Sequence, residues 1–182
     1  MKNLFLSFFI LVSFYSYTQE SYILTDSDLK YVDSLKKNGV NWDVVYSEFI
    51  TLLNVYRKEH NLDTLVFSES AFNAAKFQND YCQSISSVTH ENMTEGYKTF
   101  SDRVNKFNLK NNMNDIGECA QALTIYSIFV KQQTIAECLL DRWISSPKHN
   151  AVLLQKNSKY FGICAKRRDN NTGAIYSVLV IH

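Results

Sequence analysis

Between Asn41 and His60 the apolar residues Val45, Phe49, Leu52, Leu53 and Tyr56 recur at steps of three and four. That spacing lays one apolar stripe along a helix and leaves its outer face polar. Ser68 then offers an N-cap with Glu69 in the first turn, and Ala71, Phe72, Ala75 and Cys82 form the inner face of a second helix. The small residues on that face predict close packing against a neighbour. From Gln83 to about Thr94 the periodicity vanishes, in a loop that carries His90, and it returns over 97–107 through Tyr97, Phe100, Val104 and Phe107. The Asn-rich stretch 111–115 reads as loop.

Gly117 opens an alternating run, with Glu118, Ala120, Ala122 and Thr124 on one strand face and Cys119, Leu123 and Ile125 on the other. Residues 131–145 are helical again, with Ile135, Cys138, Leu139 and Trp143 inward. Trp143 at helical spacing from Leu139 reads as core, the alternative being the floor of a cleft. Segments 160–166 and 174–181, rich in β-branched and aromatic residues, flank Asp169-Asn170-Asn171-Thr172-Gly173 and predict a hairpin. Helices, a strand, helices and a terminal hairpin make an α+β domain, with helices packed on an antiparallel sheet.

The amino terminus changes the setting. Lys2, an apolar run from Leu4 to Phe14 and the Ser16-Tyr17-Thr18 triplet read as a secretory signal over 1–18, the alternative being an uncleaved anchor. The run is too short for a typical membrane span. Residues 19–40 form a polar lead-in with Leu29, Val32 and Leu35 at helical spacing, and 41–182 are the domain proper. Roughly 160 residues after the signal suffice for one core and do not call for two domains. A net charge of +1 and no basic run longer than Lys166-Arg167-Arg168 leave no footprint for nucleic acid.

In an exported chain the four cysteines, Cys82, Cys119, Cys138 and Cys164, can pair in any of three ways, or serve as small buried apolar residues. No CxxC or paired Cys-His spacing argues for a redox motif or a zinc knuckle. Asn92-Met93-Thr94 and Asn170-Asn171-Thr172 match the glycosylation sequon, which matters only in a host that glycosylates.

Pro147, the one proline, follows Ser146. It stops one helix and suits the first position of the next, with Ser146 as N-cap. His149 then falls in the first turn, where the helix dipole disfavours the imidazolium form. His90 in a loop, Glu118 after a strand-opening glycine and His149 at a helix mouth each avoid an obvious core position. Two imidazoles and one carboxylate, if they converge, can hold a divalent metal with an open position. They can equally form a buried polar network with no chemistry of its own. Ser146 reads as a cap rather than a nucleophile, and neither HExxH nor GxSxG is present. Tyr56 and Arg57 read as structural, the second pairing or snorkelling at the edge of the stripe.

In combination these motifs resemble the CAP (SCP) superfamily of cysteine-rich secretory, antigen 5 and pathogenesis-related 1 proteins. The resemblance rests on Leu52-Leu53-Asn54-Val55-Tyr56-Arg57-Lys58-Glu59-His60 with Leu62 and Leu65, then Ser68 leading to Ala74-Ala75, then His90, Ser101-Asp102-Arg103 and Gly117-Glu118. Its strongest piece is Trp143-x-x-Ser146-Pro147-x-His149, running on to Leu153-Leu154 and Gly162. It spans roughly 45–181 and implies an α-β-α sandwich with a small antiparallel sheet between helices. It also implies a cleft lined by two histidines and two glutamates that in some members binds zinc or another divalent metal. His90 and His149 match the histidines and Glu118 the first glutamate, while Ser146 stands at the second, as in the Ser-Pro-x-His variant of bacterial-type members. The resemblance further implies a secreted or cell-envelope protein that binds a small molecule, a lipid or an extracellular protein. A non-enzymatic binding module is the leading expectation, with Ser146 beside the metal set in its cleft; a metal-assisted peptide or ester hydrolase and a purely structural or interaction protein are the alternatives.

Overall fold

The structure is a computed structural model that describes residues 39–109, 115–124, 134–168 and 173–182. The signal segment, nearly all of the lead-in, the loop of the terminal hairpin and the second sequon lie outside the described residues. Helix α1 (Trp42–Glu59) begins at Asn41, whose side chain accepts the Val44 N–H. Its stripe Val45, Phe49, Leu53 is buried as the spacing predicts, and the stripe continues into Arg57. Strand β1 (Val66–Phe67) is followed by α2 (Glu69–Ile85), capped by Ser68. Helix α3 (Phe100–Lys106) starts with a reciprocal capping box between Thr99 and Asp102.

Strand β2 (Gly117–Thr124) precedes α4 (Ile135–Ile144), which opens with a capping box of Thr134 and Glu137. Helix α5 (Pro147–Leu153) has Pro147 in its first turn and Ser146 at the N-cap. The Ser146 hydroxyl makes no capping hydrogen bond, so the cap is positional only, and the proline supplies the break. The hairpin of β3 (Tyr160–Arg167) and β4 (Ala174–Ile181) completes the domain.

Strand order is β1-β3-β4-β2, with β2 and β3 both antiparallel to β4. The sheet differs from the wholly antiparallel one expected: β1 joins it parallel to β3 through Val66 and Phe67. Two residues are too few for an alternating pattern to show in the sequence. On one face Cys119, Leu123, Ile163, Ile175 and Leu179 pack with residues of α1, α4 and α5, Trp143 and Phe49 meeting edge to face. On the other, Ala120, Cys164, Val178 and Val180 pack with Ala71, Ala74 and Ala75 of α2 and Val104 of α3. The alternation read from Gly117 onward therefore divides the two cores, and the architecture is the α-β-α sandwich expected.

Two glycines set how closely the layers approach. A Cβ at Gly162 would lie 2.0 Å from the Phe72 backbone nitrogen, so α2 rests directly on β3. A Cβ at Gly117 would lie 2.5 Å from Cγ1 of Val152, so α5 can approach the beginning of β2 only because that residue has no side chain.

Arg57 is wholly buried rather than snorkelling. It donates to the carbonyls of Asp63, Leu153 and Gln155, tying the end of α1 to the end of α5. Trp143 is likewise wholly buried in the core and does not floor a cleft. All four cysteines are buried free thiols, which is the apolar alternative of the two open to them. Asn92 is fully buried and bonded through its amide to Gln78 Oε1 and Thr94 N, so its sequon is closed to glycosylation in the folded chain.

Candidate functional site

Glu118, the second residue of the edge strand β2, lies at the outer edge of the sheet. Glu118 points to the α2/α3 side, where its carboxyl group is almost wholly shielded, the side chain being 2% exposed. Arg103 of α3, 0% exposed, meets it with Nη2 at 2.7 Å from Oε1 and 2.9 Å from Oε2. A buried carboxylate is tolerable only with such a partner. His90 completes the pair: its Nδ1 donates to Oε1 of Glu118 at 2.9 Å. A carboxylate paired to a guanidinium can only accept, so the proton lies on Nδ1 of His90 and Nε2 is left for another partner. The His90 side chain is 53% exposed, so this nitrogen belongs to a ring open to solvent.

His149 is the third residue of α5, a helix that packs on the other face of the sheet. Its carbonyl accepts a weak bond from the Cys119 thiol, one residue along from Glu118 on β2. Burial holds its imidazole below the usual histidine range, and a second proton on His90 would add to that effect. At neutral pH the His149 imidazole is therefore kept neutral, within electrostatic reach of His90. The close approach permitted by Gly117 brings α5 to this edge.

Ser146 is nearby in sequence but makes no hydrogen bond to His90, Glu118 or His149. Glu137, a carboxylate in the helix before it, is spent on the cap of α4, accepting the Thr134 N–H. Glu91 is exposed on the loop next to His90.

Arg103, which holds Glu118, is a residue that the sequence did not single out beyond the Ser101-Asp102-Arg103 motif. It follows Phe100 by three residues and precedes Val104, so it continues the apolar side of a short helix. An arginine in such a position is a candidate for burial against a carboxylate.

As a metal centre the cluster fits in part. Two imidazoles, one with a free Nε2 and one held neutral, are suitable ligands. Glu118 suits the place behind His90, orienting the ring through Nδ1 while Arg103 holds both its oxygens. Among the described residues no group of three His, Cys, Asp or Glu side chains is arranged to hold a metal ion.

Residues 50–181 match the sequence profile of the cysteine-rich secretory protein family, CAP. The chain belongs to the CAP family. Among solved structures, this CAP domain is similar to an outer surface protein of Borrelia burgdorferi, at 15% identity and TM-score 0.60, covering 78% of this chain and 94% of that one. It is also similar to an extracellular SCP-domain protein of Bacillus anthracis, at 18% identity and TM-score 0.58. That match covers 89% of this chain and 45% of the other, so this CAP chain spans about half the length of its counterpart. At these identities the structural likeness carries the fold alone. No curated protein matches the sequence.

A separate, largely apolar pocket of about 370 Å³ lies between α1, α2 and the β1/β3 edge, lined by Tyr46, Ile50, Phe67, Phe72, Phe161 and Ile163, with Asp43 and Ser47 also in its wall. It contains none of the cleft residues. No helix among the described residues is long and apolar enough to cross a membrane.

Proposed function

We propose that this CAP domain is an extracytoplasmic, non-enzymatic binding module whose His90/His149 cleft takes a divalent cation such as zinc. One observation carries the reading: Glu118, held by Arg103, fixes His90 through Nδ1 and leaves its other nitrogen open, while burial keeps His149, within electrostatic reach of it, neutral. When bound, such an ion supplies a Lewis-acidic centre with open positions for an anionic or carbonyl ligand. Export is supported by the amino-terminal apolar run and by the likeness to an outer surface protein and an extracellular protein.

The hydrolase alternative has less support. A general base must be able to reach the water it activates. Here the one carboxylate of the cluster is shielded and already engaged by two donors. Calorimetric titration with zinc tests the binding reading: one equivalent in the wild type, abolished by either His90→Ala or His149→Ala. Binding that survives both substitutions would place the metal elsewhere. Turnover of peptide or ester substrates that disappears with the same two substitutions would restore the hydrolase.

A second reading concerns the apolar pocket. Its size lies within the usual range for small-ligand sites, of about 300–1,000 Å³, and its lining of aromatic and aliphatic residues suits a lipid chain. Displacement of a fluorescent fatty acid, weakened by Ile50→Trp and unaffected by His90→Ala, would support a ligand site distinct from the cleft.

A further inference from the structure

The loop that presents His90 has no secondary structure of its own, yet three successive carbonyls in it are gripped from beneath. Gln78 of α2, fully buried, donates through Nε2 to the carbonyls of Thr89 at 2.7 Å and Glu91 at 3.2 Å. Arg103, fully buried, donates to the carbonyl between them, that of His90, at 3.0 Å. The Gln78 side chain is itself held, since its Oε1 accepts from the buried amide of Asn92. Arg103 also reaches the carbonyl of Tyr97 at 3.3 Å, and its guanidinium lies 5.7 Å from the centre of the Phe100 ring. The loop backbone is thus drawn inward at Thr89, His90 and Glu91, while the ring between them stays half exposed.

We infer that Gln78 and Arg103 are positioning residues for His90, setting both ends of its geometry. The backbone carbonyl of His90 is held by the same nitrogen, Nη2 of Arg103, that holds the Glu118 oxygen to which the ring is bonded. Main chain and side chain of His90 are therefore referred to one buried group. Gln78 fixes the carbonyls on either side and prevents the loop from swinging about that point. Neither residue can touch a ligand in the cleft, because both are wholly buried. Their contribution is to hold an exposed ring on an irregular loop in a single place, which is what a ligand set of few groups requires. Lysine cannot replace Arg103, since one ammonium cannot match the planar fork that meets Glu118, His90 and Tyr97 together.

The inference rests on the cleft reading for its ligand and on geometry alone for the placement of His90, so the two are tested by different signals. Gln78→Met keeps the volume and removes the donors; Arg103→Lys keeps the charge and removes the fork. Gln121→Met is the control, because Gln121 is buried on the other face of the sheet and donates to Leu139 O. With zinc ion alone as probe, either site variant is expected to weaken binding about 10-fold or more, the range seen for groups that orient metal-bound histidines. Gln121→Met should bind as the wild type does. Independently of any metal, nitrogen-detected NMR should show a protected Nδ1–H on His90 in the wild type and in Gln121→Met, lost in either site variant. If zinc fails to bind the wild type, the cleft reading falls and the Nδ1–H signal still decides the positioning. A folded Gln78→Met or Arg103→Lys protein that retains the signal overturns the inference, and either variant suffices should the other not fold.

Discussion

The pair Arg103–Glu118 allows the energetics of the site to be measured before any ligand is known. Both side chains are shielded, at 0% and 2% exposure, and they meet at 2.7 Å. Glu118→Leu would strand a buried guanidinium with only the carbonyls of His90 and Tyr97 as acceptors. Breaking a buried pair by removing one partner costs about 3–5 kcal/mol, because the survivor is left uncompensated. Arg103→Met would leave the carboxylate with His90 as its one donor and also delete two bonds to carbonyls, each worth about 1 kcal/mol net. It should therefore be the more damaging of the two by about 1–2 kcal/mol. The double variant removes both charges and should cost less than the sum of the singles by at least about 2 kcal/mol, a coupling expected only of groups in direct contact. Since a domain of this size has about 5–15 kcal/mol in total, urea unfolding is best followed near 10 °C. The fluorescence of the buried Trp143 is a suitable reporter. Additivity within about 0.5 kcal/mol, or a cost for Glu118→Leu below about 1 kcal/mol, would refute the view of this pair as a buried, mutually dependent unit.

Other consequences are equally open to measurement. Gly117→Ala should destabilise the domain by pushing α5 off β2, and Val152→Ala should rescue it, because the atoms nearest the added Cβ all belong to that side chain, the first at 2.5 Å; thermal melts of the single and double variants decide it. Gly162→Ala should have no such rescue, since its Cβ would meet the backbone of Ala71 and Phe72, and soluble, folded expression at wild-type yield would contradict that. With the folded-state pKa of His149 lowered by burial and by His90, the unfolded chain takes up a proton first as the pH falls. Its contribution to stability is therefore complete above the ordinary histidine value of about 6.5 and is lost as pH falls from there toward the folded-state value. Urea midpoints compared at neutral and mildly acid pH should drop less in His149→Gln than in the wild type, and equal drops would count against this. Burial raises the thiol pKa of Cys82, Cys119 and Cys164, so a thiol reagent should find no reactive cysteine in the native protein and four after denaturation; rapid labelling without denaturant would be the contrary result.

Much of this architecture was readable in the sequence, for reasons that also explain the omissions. The stripe on α1, the small-residue face of α2 and the alternation of β2 all reflect one-sided burial, and one-sided burial is what periodicity records. Strand β1 escaped because two residues hold no period. The buried arginines escaped for another reason. Arg57 extends the Phe49–Leu53 spacing by four, and Arg103 follows Phe100 by three, so both stand where an apolar residue is expected. Their charge marks them as surface groups unless the carbonyls and carboxylate that receive them are known, and those come from distant parts of the chain. The family resemblance named His90, Glu118 and His149 together; the structure joins the first two by a hydrogen bond and relates His149 to His90 only through electrostatics. What composition and spacing could not convey is that Glu118 is already engaged, since that depends on Arg103 reaching it from α3. The sequon at Asn92 illustrates the same limit: a tripeptide does not show that its asparagine is buried.

The proposed function requires two imidazoles acting as one site. Stepwise addition of zinc to the nitrogen-15-labelled protein, followed through the ring nitrogens of its four histidines, tests this most directly. The Nε2 resonance of His90 and a ring nitrogen of His149 should shift together and saturate at one equivalent, while His60 and His182 stay unmoved. If the resonances of His90 and His149 moved independently, or zinc left both unchanged, the two rings would not constitute a metal-binding cleft.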